Sequence, residues 1–165
     1  MRLSSALLIP VLVTSVHAQP ATQAGGGTVT LVGQGDTTRT LTAAELAALP
    51  QTEVVVREAD GATIVFRGPT LRALMTLVGA PAGHALRGPS MLLAVLAEAA
   101  DNYKVAYMLA ELDEQFGAKT AILALTQDGH ALPARDGPLR IVVAGEEHHA
   151  RWIRQVVRLR LVRVG

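Results

Sequence analysis

The stretch GPLRIVVAGEEHHARWIRQVVRLRLVRV, Gly137 to Val164, decides how this chain is read. It opens on a run of Leu, Ile and Val that reads as a strand ending at Gly145. It closes on RQVVRLRLVRV, whose alternating Arg and apolar residues read as a second strand, with Arg158 and Arg160 on one face. Between them lie Glu146, Glu147, His148, His149 and an Arg151–Trp152 pair. Three readings are open for this loop: a metal site, a ligand-binding loop, or a solvated turn. Adjacent histidines in an extended segment point to opposite faces, so His148 and His149 do not easily share one metal. The loop also lacks the spacing of a two-histidine zinc helix or of an alternating His-x-His pair.

Upstream, more strands are expected. TVTLVGQGDTTRTLT alternates as a hairpin turning near Gly33 to Asp36. Thr42 stands three residues before Glu45, the signature of a capping box, and Pro50 ends the short helix it opens. TEVVVREADGATIVFRG is a second hairpin, turning at Asp60–Gly61. GPTLRALMTLVGAP predicts a helix over Pro69 to Val78, with Pro69 in its first turn and Gly79 at its end. SMLLAVLAEAADNYKVAYML reads as two strands around Ala100 to Asn102, although Ala and Leu also suit a helix over Leu92 to Ala100. AELDEQF reads as a short helix carrying a solvated Asp113–Glu114 pair, and KTAILALTQDGHALP as a strand and a turn. Strands dominate, and three short helices do not alternate with them regularly. That order predicts an α+β domain with a mostly mixed β-sheet, not a doubly wound parallel one.

The 165 residues suffice for one domain with a core. Half are hydrophobic and 3% aromatic, so Val, Leu, Ala and Ile must fill it. A formal charge of +1 gives no electrostatic case for nucleic acid. The beginning of the chain predicts export. Arg2, an apolar run to Val13 and the small residues of Val16–Ala18 have the layout of a secretory signal, expected to be cleaved after Ala18. That apolar run is about half the ~20 residues that span a bilayer. Residues 19–27 then form a flexible leader and 28–165 the domain, which is expected in the periplasm or outside the cell, with no membrane span after cleavage. The absence of cysteine excludes thiolate catalysis, cysteine-held zinc, iron–sulfur clusters and cysteine-attached haem. No Gly-x-Ser-x-Gly and no glycine-rich phosphate loop occurs.

Taken in order, LTAAELAALPQTEVVV, FRGPTLRALMTLVGA, YKVAYMLAELD and DGHALPARDGPLRIVVAGEEHHARWIRQVVRLRL resemble the small secreted members of the sulfite oxidase-type molybdopterin-binding fold. The likeness runs from about Thr40 to Val164 and rests on order and spacing. Its core is a strand of the form Pro-x-Arg-x-Val-Val-x-Gly, then a loop, a basic residue, a Trp and a closing strand; Pro138, Arg140, Val142, Val143, Gly145, Arg151 and Trp152 stand at those places. Ala144 replaces a usual Pro. The resemblance implies that fold, a molybdopterin or other pterin as cofactor, and, for some small members, a membrane-bound signalling or redox partner. Enzymes of the family hold molybdenum through a cysteine in the first half of the domain. Here the corresponding region, Val55 to Gly61, offers Arg57, Glu58 and Asp60 instead.

The resemblance places Arg140 and Arg151 at the cofactor and the loop of His148 and His149 at the pocket rim. A guanidinium suits a phosphate or the polar edge of a pterin because it donates a planar fork of hydrogen bonds. Trp152 either stacks on a ligand ring or packs in the core with one edge wet. Tyr103, beside a turn, is a further pocket candidate. Arg140 and Arg151 are expected to converge on one concave site, with Asp136 or Glu147 between them. Two functions follow: a module that binds a planar anionic ligand without chemistry, or an oxidoreductase that holds molybdopterin without a thiolate.

Overall fold

The computed structural model describes residues 26–35, 37–58, 60–117, 119–146 and 148–165. The expected signal, most of the leader, and Glu147 lie outside the described residues.

A five-stranded sheet is built around the closing strand. Strand β1 (Thr28–Val32) and β2 (Thr38–Thr42) form the first hairpin, with Thr30 opposite Thr40. Val29 and Leu31 turn inward while their neighbours face out, as the alternation predicts. The closing strand, β11 (Val156–Arg163), lies parallel to β1 and antiparallel to β5 (Leu93–Ala99), which pairs with β6 (Lys104–Met108). The order is β2-β1-β11-β5-β6. Strand β5 sits between two neighbours and all but one of its residues are buried. That explains why its Ala/Leu-rich sequence also suits a helix: a strand buried on both faces loses its alternation.

A four-stranded sheet follows the order β3-β4-β8-β9. Its main hairpin is β3 (Thr52–Arg57) and β4 (Thr63–Gly68), turning through Gly61 at φ 85°, a left-handed conformation that glycine adopts freely. The short strands β8 (Thr126–Gln127) and β9 (His130–Ala131) complete it. Between the two sheets, β7 (Ala121–Ala124) pairs antiparallel with β10 (Arg140–Val143). Gly68 is required where β4 meets β7, because a Cβ there would lie 2.0 Å from the Leu123 carbonyl oxygen.

Among the described residues there are two α-helices. In α1 (Ala43–Ala48) the Thr42 hydroxyl accepts from the Glu45 N–H and the Glu45 carboxylate accepts from the Thr42 N–H, the capping box read from sequence. In α2 (Leu71–Thr76) the N-cap is Thr70, whose hydroxyl accepts from the Ala73 N–H. Pro69 therefore precedes the helix, which is shorter than the predicted Pro69–Val78 span. Leu71, Leu74, Met75 and Val78 are buried as their spacing predicts.

AELDEQF forms two 3-10 turns, Ala110–Leu112 and Glu114–Phe116, instead of a helix. Asp113 breaks it. Its backbone is extended, and its carboxylate accepts from Gly83 N–H, Gln115 N–H and Arg72 Nε. The expectation of a solvated acidic pair fails for Asp113, which is 5% exposed. It holds for Glu114, which is exposed. One apolar cluster, contributed by all three sheets and both helices, forms the core. Among the described residues no helix is long and apolar enough to cross a membrane.

Candidate functional site

The site grows from the end of β10 and the loop behind it. Arg140 opens β10, and its Nη1 lies 3.2 Å from Asp136 Oδ2, one turn of chain earlier. Asp136 is held by its own backbone: its N–H donates to the Pro133 carbonyl, and its carbonyl accepts from the Gln155 N–H. The Arg140 guanidinium carbon lies 5.6 Å from the Trp152 ring centre and 5.7 Å from that of Phe66. Such cation–ring contacts are worth about 0.5–1 kcal/mol at exposed sites and more when water is excluded. Here the pair is largely buried, so the guanidinium is held from two sides.

Trp152 is 6% exposed and packs edge-on against Phe66, at 6.1 Å between centres and 84° between planes. His149 stacks on it, 3.8 Å away and 15° from parallel. The core reading of Trp152 is correct for its burial, and its contact with His149 and Arg140 keeps it at the site as well. His149 comes from a 3-10 turn, His149–Arg151, that ends the loop. Tyr103, half exposed, anchors that turn by donating its hydroxyl to the Ala150 carbonyl at 2.9 Å.

Three contiguous cavities meet at the His149–Trp152 stack. One of about 320 Å³ is lined by Tyr103, Asp136, Arg140, His149 and Trp152, together with Asp101 and Arg154. A second, of about 280 Å³, lies over Ile64 and Phe66 and shares Asp136, Arg140, His149 and Trp152. The third, of about 560 Å³, runs between Val55–Glu58 and the segment holding Gly145, Glu146, His149 and Trp152. Two donors at this junction, Arg140 Nε and Trp152 Nε1, are buried without a hydrogen-bond partner. Buried donors are normally matched, so each calls for an acceptor.

The structure brings Arg140, His149, Trp152 and Tyr103 together, and sets Arg57, exposed, beside His149 in the third cavity. His148 is exposed and lines none of the three cavities. Arg151 departs from expectation. Its Nη2 lies 2.7 Å from Glu111 Oε1 and its Nη1 3.5 Å from Glu146 Oε1. Its guanidinium covers the Tyr107 ring at 4.7 Å, and the Tyr107 hydroxyl donates to the Arg151 carbonyl. Burial pushes the Tyr107 phenol above its ordinary range. The two arginines therefore do not share one acid: Asp136, expected between them, pairs with Arg140 and not with Arg151, while Glu111 and Glu146 draw Arg151 into a separate network. Neither Phe66 nor Glu111 was legible as a site neighbour. Glu111 reaches Arg151 across 40 residues of chain, and no local pattern announces such a pairing. Among the described residues no cluster of three metal-binding side chains occurs.

The sequence model of the oxidoreductase molybdopterin binding domain matches residues 18–163. The sulfane dehydrogenase SoxCD from Paracoccus pantotrophus has a similar structure, with a TM-score of 0.61 and 18% identity; the match covers 81% of this chain and 37% of that one. At that identity the likeness concerns the fold, and the present chain spans little more than a third of its counterpart. No curated protein matches the chain.

Proposed function

The chain belongs to the oxidoreductase molybdopterin binding domain family, and from that premise we propose that it is an exported binding domain that takes a pterin-like planar ligand without catalysing a reaction on it. The observation that carries this reading is the Arg140–Asp136 pair beside Trp152, with the donors Arg140 Nε and Trp152 Nε1 buried and unmatched. The pyrimidine edge of a pterin presents N–H donors next to a carbonyl oxygen. A carboxylate accepts the first and a guanidinium donates to the second, so an adjacent Asp and Arg complement that edge. The His149–Trp152 stack supplies a flat aromatic wall for the ring.

The residues present fit the organic part of molybdopterin on these grounds. They do not fit a metal held by the protein, because the chain has no cysteine and the described residues contain no metal-binding cluster. A metal on such a cofactor supplies oxygen-atom transfer; no step through it is assigned to these side chains. Their part is to bind and orient the ring and to exclude water from it. A membrane-bound partner that reads the occupied state fits an exported domain of this size.

The test uses protein isolated from its cellular compartment. Denaturation is expected to release a fluorescent pterin without stoichiometric molybdenum. Metal together with pterin would favour an oxidoreductase, and neither would remove the pterin reading. Trp152 is the only tryptophan, so its fluorescence reports on this wall alone. Titration with pterin-6-carboxylate should change it, and Arg140→Ala should weaken binding by about 1.5–3 kcal/mol, roughly 10- to 150-fold, as for a lost charge-assisted hydrogen bond.

A further inference from the structure

Strand β3 is the end strand of its sheet, paired only with β4. Which of its backbone groups face outward follows from the ladder. The Glu58 N–H donates to the Ala62 carbonyl, which makes Glu58 and Ala62 a hydrogen-bonded pair. Such pairs alternate in an antiparallel ladder, so Val56 and Val54 also bond to β4, while Val55, Arg57 and Glu53 do not. The far side of β4 agrees. Opposite Val55 and Glu53 stand Val65 and Arg67, whose backbones are engaged away from β3. The Val65 N–H donates to the Asp128 carboxylate and its carbonyl accepts from the Asp128 N–H, while the Arg67 carbonyl accepts from the Leu125 N–H. The N–H and C=O groups of Glu53, Val55 and Arg57 therefore point off the edge of the sheet, and among the described residues no backbone group meets them.

This edge lacks several of the usual protections, although Glu53 and Arg57 place charge at two of its outward positions. Its register with β4 is continuous over Thr52–Arg57, with no bulge, and it holds no Pro and no Lys. Val55, at its middle, is 64% exposed, the most exposed of the large apolar residues among those described. The edge is exposed at Glu53, Val55 and Arg57. It forms one bank of the 560 Å³ cavity, whose other bank is Gly145, Glu146, His149 and Trp152. Glu146 is nine-tenths buried there. Its Oε1 holds Lys119 and Arg151, but its Oε2 is buried with no donor. A carboxylate whose charge is already matched, with one oxygen unsatisfied, wants a neutral N–H.

We propose that this trench receives an extended segment of a partner polypeptide, added to β3 as a further strand through Val55 and Arg57, with a backbone or amide N–H satisfying Glu146. Strand addition of this kind draws affinity from main-chain hydrogen bonds and selectivity from alternate side chains. The opposite bank decides the occupant. Its unmatched Glu146 Oε2 calls for an N–H donor, which an extended segment lying in the cleft supplies from its backbone. The proposal does not rest on the pterin reading, which concerns the Arg140 side of Trp152.

The probe is an array of acetylated, amidated random heptapeptides, long enough to cover the roughly 20 Å of a six-residue edge at about 3.3 Å per residue. The wild-type protein should retain a subset. Val55→Pro, which removes an outward N–H and leaves the β4 pairing intact, should weaken the retained peptides at least tenfold. Glu146→Gln should weaken them less. N-methylation walked along the tightest peptide should abolish binding at alternate positions, a two-residue period that only strand pairing produces. That scan uses wild-type protein and so does not depend on either variant folding. No retained peptide, a flat N-methyl scan, or self-association of the protein that Val55→Pro abolishes would each overturn the proposal. Unchanged pterin-6-carboxylate binding by Val55→Pro separates failure here from failure at Arg140.

Discussion

At the scale of single residues, Asp113 shows how far a side chain can depart from what its neighbours in sequence suggest. It sits in an acidic, Gln-containing segment and reads as solvated, yet it ties Gly83, Gln115 and Arg72 together at one carboxylate. The hydrogen bond from the Gly83 N–H, more than the nearby Arg72 guanidinium, holds its pKa below the ordinary carboxylate value. The charged form is thus favoured by folding. Its contribution is complete above the unfolded value, near 3.9, and is lost as pH falls through the lower folded value. Asp113→Asn should therefore destabilise the protein by about 1.5–3 kcal/mol at neutral pH, and the variant and wild type should converge under acid. Urea unfolding from pH 7 down to pH 3 checks this; a constant gap over that range would contradict it. Arg140 is the opposite case. An ordered string of family residues singled it out, and Asp136, four residues earlier and one of the two acids expected between Arg140 and Arg151, pairs with it. Arg151 was marked by the same string, but its destination was set by Glu111, which lies across the fold.

Secondary-structure elements were legible where a local pattern carried their whole cause. Both hairpins followed from alternation and a turn, and α1 from a capping box contained in four residues. The boundary of α2 was misplaced because two candidates for its start stand side by side, Pro69 and Thr70, and only the hydroxyl can accept a first-turn N–H. Thr70→Ala should cost about 1 kcal/mol, and Thr70→Ser much less, since serine keeps the acceptor. Unfolding midpoints of the two variants in one denaturant settle the comparison, and equal losses would mean that the methyl group of Thr70 matters and its hydroxyl does not. The 3-10 turns around Asp113 were beyond local reading, because the contacts that break the helix come from Arg72 and Gly83.

At the scale of the whole molecule, the sequence announces strands but not their partners, and the order β2-β1-β11-β5-β6 depends on a parallel contact between the first and last strands of the chain. That contact closes the domain. Leu159 of β11 is fully buried, opposite Leu31 on one side and Ala97 on the other. Trp152 lies just before the same strand but packs on Phe66 of the other main sheet. One core cluster joins both regions, so they should not unfold separately. Tryptophan fluorescence and far-ultraviolet circular dichroism should then report one coincident urea transition. Leu159→Ala removes buried methyl groups from the centre of the five-stranded sheet and should lower stability by about 2–5 kcal/mol. The decisive feature is that the Trp152 signal should move by the same amount as the dichroism, although Trp152 is in the other layer. A variant in which the dichroism shifts and the fluorescence transition stays in place would show that the two sheets are independent units, and would end the account of a single domain closed by β11.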